Sequence, residues 1–279
     1  MKNTKKINKI RYGHKTGSIT AFIDADNLNE LDPFVLWDHF EAKEIIRTTG
    51  LDYHGHSGVD AISYPVTGRL RHLDSSGSHV TLNSGDIHVM TSGNGIIHKD
   101  TMTPQDGRVE SFSLWTALPA GHKEMDDASS SNVSSHQIPL VEEIDSATKV
   151  LIGNYKGSVS PIKYSIPVTY LDIIIAPYGV WHFQPDKSQT TGFVYIRSGR
   201  AYIGGNQLHP HQMGTLTPSS LPLEIRTGSI GTRLFVSLGE PLHQPLISSG
   251  CSVHSSAVNM SLGTQNIKRL MAAKKMSGL

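Results

Sequence analysis

His54-Gly55-His56 and, further along, His98-Lys99-Asp100 have the side-chain types and the spacing that could hold a metal ion. Strand residues two apart point the same way, so on extended strands His54 and His56 share one face, as do His98 and Asp100. Bringing those faces together converges three imidazoles and a carboxylate, a donor set suited to a divalent transition metal. A His-x-His pair alone is weak evidence, because 15 histidines in 279 residues give about one such pair by chance. A second pair, His209-Pro210-His211, flanks a proline and reads as a loop or sheet edge. The setting distinguishes the first pair. It lies in Tyr53-His54-Gly55-His56-Ser57-Gly58, and its partner closes the glycine-rich Gly93-Asn94-Gly95-Ile96-Ile97-His98-Lys99-Asp100.

Four other groups compete for roles. Asp60 would share the facing of His54 and His56 if one strand ran on through it, which makes it a reserve carboxylate. His72 and Asp74, before Ser75-Ser76-Gly77, read as closing a turn, where Asp and Ser bond the local backbone. His88 faces opposite to its neighbours Ile87 and Val89, either into a pocket or to solvent. Trp37, Trp115 and Trp181 read as core or interface anchors.

The elements that must position these residues are short. Apolar runs at residues 61–66, 70–73, 79–82, 87–90 and 111–114 alternate with turn residues, and Gly68, Gly77, Gly85 and Gly95 punctuate them, which predicts an all-β sandwich or barrel. Residues 126–135 are small and polar and read as an exposed linker. Strand-like text resumes at residues 149–152, 170–176, 193–196, 201–203, 214–216, 223–225 and 233–238. Residues 61–69 echo residues 192–200, with Tyr64, Gly68 and Arg69 matched by Tyr195, Gly199 and Arg200, which suggests two copies of one β-domain. The same offset carries His54 and His56 onto Pro185 and Lys187, so the second copy lacks the ligand pair. The predicted division is residues 1–125, a linker at 126–145, and residues 146–279. Residues 1–17 are polar and basic and read as a mobile arm or an outer strand. Ile267, Leu270 and Met271 mark a short C-terminal helix.

Composition removes several function classes. Net charge is +1 with no extended basic block, so nucleic acid is not an expected partner. No apolar run is long enough to span a bilayer, and the basic N-terminus lacks the apolar region of a secretory signal. Cys251 is the only cysteine, which excludes a disulfide framework and fits a reducing, cytoplasmic setting.

Taken together, His54-x-His56, Tyr64-x₃-Gly68, His72-Leu73-Asp74-Ser75-Ser76-Gly77 and the run from Gly85-Asp86 through Met90-Thr91 to His98-x-Asp100 resemble the pirin family. Asp32-Pro33-Phe34, Asp38-His39-Phe40, Leu114-Trp115 and Gly239-Glu240-Pro241-Leu242 extend the resemblance from about residue 30 to 245. The resemblance implies two cupin-type β-barrels (a bicupin) facing each other, with one metal in the N-terminal barrel. That metal is commonly iron, held by three histidines and a glutamate. Carried across, the ligands are His54, His56, His98 and, at the glutamate position, Asp100. Fe(2+) is the expected ion, with zinc, nickel, manganese or copper as alternatives. The implied reaction is dioxygenation of a small phenolic substrate of the flavonol (quercetin) type, with Asp100 or His88 as proton acceptor. The competing readings are a non-catalytic metal-binding protein that regulates a protein partner, and a metalloprotein with isomerase or hydrolase chemistry. The chain departs from the family pattern at Ser57 and Asn94, where arginine is usual, at His88 and Val89, where glutamine and tryptophan are usual, and at Asp100 itself.

Overall fold

Short alternating runs broken by glycine favour antiparallel pairing. The computed structural model, which describes residues 3–277, is accordingly built of antiparallel sheets with one α-helix, Ala257–Ser277, at the end. Among the described residues no helix is long and apolar enough to cross a membrane.

The chain divides into two compact units, and the division corrects the boundaries read from the sequence. Lys15–Glu30, Phe34–Ser135 and Leu242–Leu279 form one unit; Met1–His14, Leu31–Pro33 and His136–Pro241 form the other. The termini belong to the opposite unit from the one their position in the chain suggests. The strand Ile7–Arg11 pairs with Met213–Leu216 in the second unit. Lys5, 1% exposed, donates there to the carbonyls of Thr190 and Ser219, and burial lowers its pKa to about 8. The C-terminal helix packs on Thr49–His56 and Ile96–Thr103 of the first unit. The serine-rich segment is not simply a linker. Ser129–Val133 is a strand paired with Ile87–Thr91, because an unpaired sheet edge gives even a serine run its backbone partners.

The first unit has a seven-stranded sheet in the order Ser129–Val133, Ile87–Thr91, Val59–Thr67, Arg108–Ala117, Phe34–Lys43, Ile19–Ile23, His14–Thr16. Its four-stranded sheet runs Thr49–His56, Ile96–Thr103, Arg69–Asp74, His79–Leu82. The second unit repeats both. Its large sheet is Ile7–Arg11, Met213–Leu216, Thr191–Gly199, Thr232–Gly239, Val168–Ile175, Ser146–Ile152, Leu140–Glu142, and its small one Val180–Phe183, Leu223–Arg226, Ala201–Ile203, Asn206–Leu208. Tyr64 and Tyr195 fall on corresponding third strands, so the echo in the sequence marks a true structural repeat.

The two interiors differ. In the first unit His56 lies opposite Ile96 and His54 opposite His98. At the corresponding pairing in the second, Phe183 lies opposite Leu223 and Trp181 opposite Ile225. Pairing therefore assigns the histidine positions to Trp181 and Phe183 rather than Pro185 and Lys187; unequal loops defeat a fixed offset. Both rings are buried in an aliphatic core with Tyr155, Leu171 and Val236, so the second copy is filled where the first is hollow.

Between His56 and the strand Val59–Thr67 the chain turns at Ser57-Gly58. Gly58 has φ +74°, and a Cβ there would lie 1.9 Å from the Val253 carbonyl. Gly58→Ala is expected to cost about 2–4 kcal/mol, combining left-handed strain with a clash against backbone. Thermal unfolding checks it, and an unchanged midpoint would mean the turn relaxes freely.

Candidate metal centre

Cross-strand register brings the three histidines together. The ring centroids of His54 and His98 are 4.2 Å apart, those of His54 and His56 4.8 Å, and those of His56 and His98 4.9 Å. Two of the rings are anchored at Nδ1 by backbone carbonyls, and the third has a carboxylate beside it. His54 Nδ1 donates to the Asp52 carbonyl at 2.8 Å, and His56 Nδ1 to the Cys251 carbonyl at 2.6 Å. His98 Nδ1 lies 3.3 Å from Asp100 Oδ2. A carbonyl can only accept, so these Nδ1 atoms carry the protons and the Nε2 atoms of His54 and His56 are bare. His56 Nε2 lies 3.0 Å from His98 Nε2, and the three ligand atoms all fall within 4.8 Å of one another. Two bare imidazole nitrogens with a third imidazole in reach are a donor set that fits a divalent ion. Burial and the neighbouring His98 lower the pKa of both His54 and His56, that of His56 to about 3. Both are therefore neutral and ready to ligate near pH 7.

Asp100 is not in that group. The pairing of its strand slips between His98, opposite His54, and Asp100, opposite Leu51. The Asp100 carboxylate lies with His72 and the Nδ1 side of His98 instead. His72 Nδ1 bonds Asp100 Oδ1 at 2.8 Å and its Nε2 bonds Asp74 Oδ2 at 2.9 Å. Burial pulls the His72 pKa down, but the two carboxylates outweigh it and hold it at about 9, an imidazolium. Burial raises both aspartates in turn, yet hydrogen bonds from His72 hold them below the usual carboxylate range. Asp100 is thus placed to orient His98 from behind, as acceptors beside metal-binding imidazoles do. The turn reading of Asp74 is also right, since its Oδ1 accepts from the Ser76 and Ser78 amides. What was missed is the Leu70, His72, Asp74 alternation, which aims His72 inward.

His88 faces the same cavity, its ring 4.1 Å from that of His72. Burial and the charge on His72 lower its pKa to about 3, and its Nε2 is buried with no partner. Asp60 faces the other way, accepting from Thr91 Oγ1, because the Ser57-Gly58 turn resets the alternation. Trp115 lines the cavity 4.7 Å from the His56 ring, whereas Trp37 and Trp181 are core. The cavity, about 200 Å³, has walls of Leu36, Phe40, Leu51, Leu70 and Met90. Asp38 also reaches it; burial and the nearby Asp24 raise its pKa to about 7.

Comparison with known proteins bears on the family and the fold. The family profile named Pirin matches residues 14–116. The protein Pirin of Homo sapiens is 30% identical over 234 residues, covering 82% of this chain and 78% of that protein. The chain belongs to the pirin family. Among solved structures, a quercetin 2,3-dioxygenase from Acinetobacter baumannii superposes with a TM-score of 0.86 at 21% identity, covering 96% of this chain and 98% of that one. A bacterial pirin, YhhW from Escherichia coli in complex with nickel(II), gives 0.63 at 14% identity, covering 86% of this chain and all of that one. Both share the cupin fold.

Two departures of this pirin from the family pattern meet the C-terminal segment. Ser57 Oγ lies 2.9 Å from His254 Nε2, and Asn94 Oδ1 accepts from Asn266 Nδ2 at 2.8 Å. At both positions, where arginine is usual, a short polar side chain leaves room for the segment that presents the Cys251 carbonyl to His56.

Proposed function

We propose that this pirin is a metal-dependent dioxygenase that holds Fe(2+) through His54, His56 and His98 and acts on a small phenolic substrate of the flavonol type. The observation that carries the reading is the convergence of three imidazoles, two of them neutral and held at Nδ1 by backbone carbonyls, in a cavity with apolar walls. The likeness in fold to a quercetin 2,3-dioxygenase supports the choice of reaction. A redox-active ion bound there would supply electron exchange between dioxygen and a phenol. The protein's own residues fix the ligand imidazoles, seat the aromatic ring against Trp115 and keep bulk water out. Of the two proton acceptors expected from the sequence, Asp100 is engaged by His72. His88 remains open to a ligand, and its low pKa suits hydrogen bonding better than proton abstraction. Cys251 is an unpaired, exposed thiol, and a cytoplasmic location suits it.

A second reading, a metal-binding regulator of a protein partner, is favoured by the withdrawal of Asp100 from the ligand group. The two separate in one experiment. Iron-loaded protein, prepared anaerobically, is offered a flavonol panel with oxygen uptake recorded, beside His54→Ala and His98→Ala. One iron per chain with uptake abolished in both variants is the expected result. Iron bound without uptake on any flavonol would favour the regulator, and no iron in the wild type would end both readings.

A further inference from the structure

Four inward-facing residues lie side by side across four neighbouring strands of the seven-stranded sheet. Asp38 is opposite Ser113, Ser113 opposite Ser63, and Ser63 opposite His88. All four line the cavity, and the row ends at His88, against the His72 ring on the metal side. We propose that this row is the wall that recognises a second hydroxyl group on an aromatic ligand whose first hydroxyl lies at the three histidines.

Three observations bear on the ligand's chemistry. Each end of the row carries a buried polar atom with no partner, Asp38 Oδ1 and His88 Nε2. Such atoms are costly to bury and uncommon, and here both belong to the same lateral row. The group that meets them must be able to donate or accept, since a carboxyl with a pKa near 7 is present in both forms near neutrality. A hydroxyl does either; an ammonium or a carboxylate does only one. The walls flanking the row, Leu36, Phe40, Leu70 and Met90, call for an apolar body. A cavity of about 200 Å³ encloses one or two rings, so the hydroxyl read by the row belongs to the ring system nearest the histidines and a third ring would lie outward. The ligand class is therefore a hydroxylated aromatic of one ring or two fused rings, alone or as part of something larger. The inference rests on the reading of this cavity as a phenol site, but it concerns binding, and its test does not need turnover.

The test uses zinc-loaded full-length protein, in which no redox turnover occurs, with tryptophan fluorescence quenching as readout. Two flavonols are titrated: 3-hydroxyflavone, and galangin, which adds two hydroxyls on the fused rings. Galangin is expected to bind the wild type about tenfold more tightly, the scale of one net hydrogen bond. Asp38→Leu should remove that preference and leave 3-hydroxyflavone, which makes no such bond, within about twofold of wild type. The Ser63→Ala/Ser113→Ala double variant, which empties the middle of the row without touching the carboxyl, should reduce the preference severalfold. Equal binding of the two flavonols by the wild type, equal weakening of both in Asp38→Leu, or no binding of either would overturn the inference. Discrimination without oxygen uptake in the iron form would leave it standing and remove the dioxygenase reading instead.

Discussion

Asp100→Asn is expected to lower metal affinity 10–100-fold, the range seen when the acceptor behind a ligand imidazole is lost. The same change should cost roughly 2–4 kcal/mol of stability at neutral pH, because a buried imidazolium loses one of its two carboxylates. Both effects follow from one carboxylate serving two rings, His72 at 2.8 Å and the Nδ1 side of His98 at 3.3 Å. Asp74→Asn provides the control. It also strips a carboxylate from His72 and loosens the turn at Ser76, but it does not touch His98. Its stability should fall comparably while metal affinity stays near wild type. Metal titration and urea unfolding on the three proteins decide the matter. Equal metal affinity in all three would show that Asp100 does not orient His98.

The pH dependence of the same network follows from the directions of its shifts. His72 rises from 6.5 unfolded to about 9 folded, so its contribution is fully present below about 6.5 and is lost as pH climbs through 9. Asp74 and Asp100 are lowered from 3.8, so their contribution is present above that value and lost as pH falls below it. Asp38 works the other way. Its folded pKa of about 7 lies above 3.8, so it lowers stability progressively as pH rises between those values. The difference between wild type and Asp100→Asn removes the Asp38 contribution. That difference should be greatest between about pH 4 and 6.5 and shrink towards pH 9, following the same pKa directions.

The all-β class, the repeat and the three-histidine cluster were legible in the sequence, since period-two alternation and a glycine-framed His-x-His fix local facing. The side-chain alternation that placed His54 with His56 holds because that strand runs unbroken to His56. It failed for Asp60, one turn later, where Gly58 resets the facing. It also missed Asp100, because a register slip opposite residues 51–54 is a property of two strands together and leaves no mark in either. Unit boundaries were misread for a related reason. Pairing of Ile7–Arg11 with Met213–Leu216 joins residues some two hundred apart, and composition carries no information about such contacts. The Asp38–Ser113–Ser63–His88 row was invisible for the same cause: four unremarkable polar residues become one surface only through the order of the strands.

Glu124→Ala is expected to weaken metal binding at a distance while freeing the C-terminal segment. Glu124 is fully buried and accepts four bonds from that segment: the Ser255 amide at 2.8 Å, Ser255 Oγ at 2.5 Å, Asn259 Nδ2 at 2.7 Å and His254 Nδ1 at 3.2 Å. With Nδ1 donating to Glu124, His254 Nε2 accepts from Ser57 Oγ, so Ser57, His254 and Glu124 form a serine–histidine–acid relay. All three are sealed from solvent, which rules out attack on any substrate and makes the relay a latch. The Ser57 amide also donates to Ser252 Oγ, and the Val253 amide to the Ser57 carbonyl. Together these bonds hold residues 251–255 where the Cys251 carbonyl receives His56 Nδ1. Removing Glu124 leaves several buried donors unpaired, at a cost of about 3 kcal/mol or more. Hydrogen exchange should rise across residues 251–277, and metal affinity should fall about tenfold as His56 loses its anchor. Glu124→Gln, which keeps an acceptor oxygen, should recover much of both. If exchange rises while metal affinity holds, the Cys251 carbonyl is not what fixes His56, and the strand alone suffices to aim the ring.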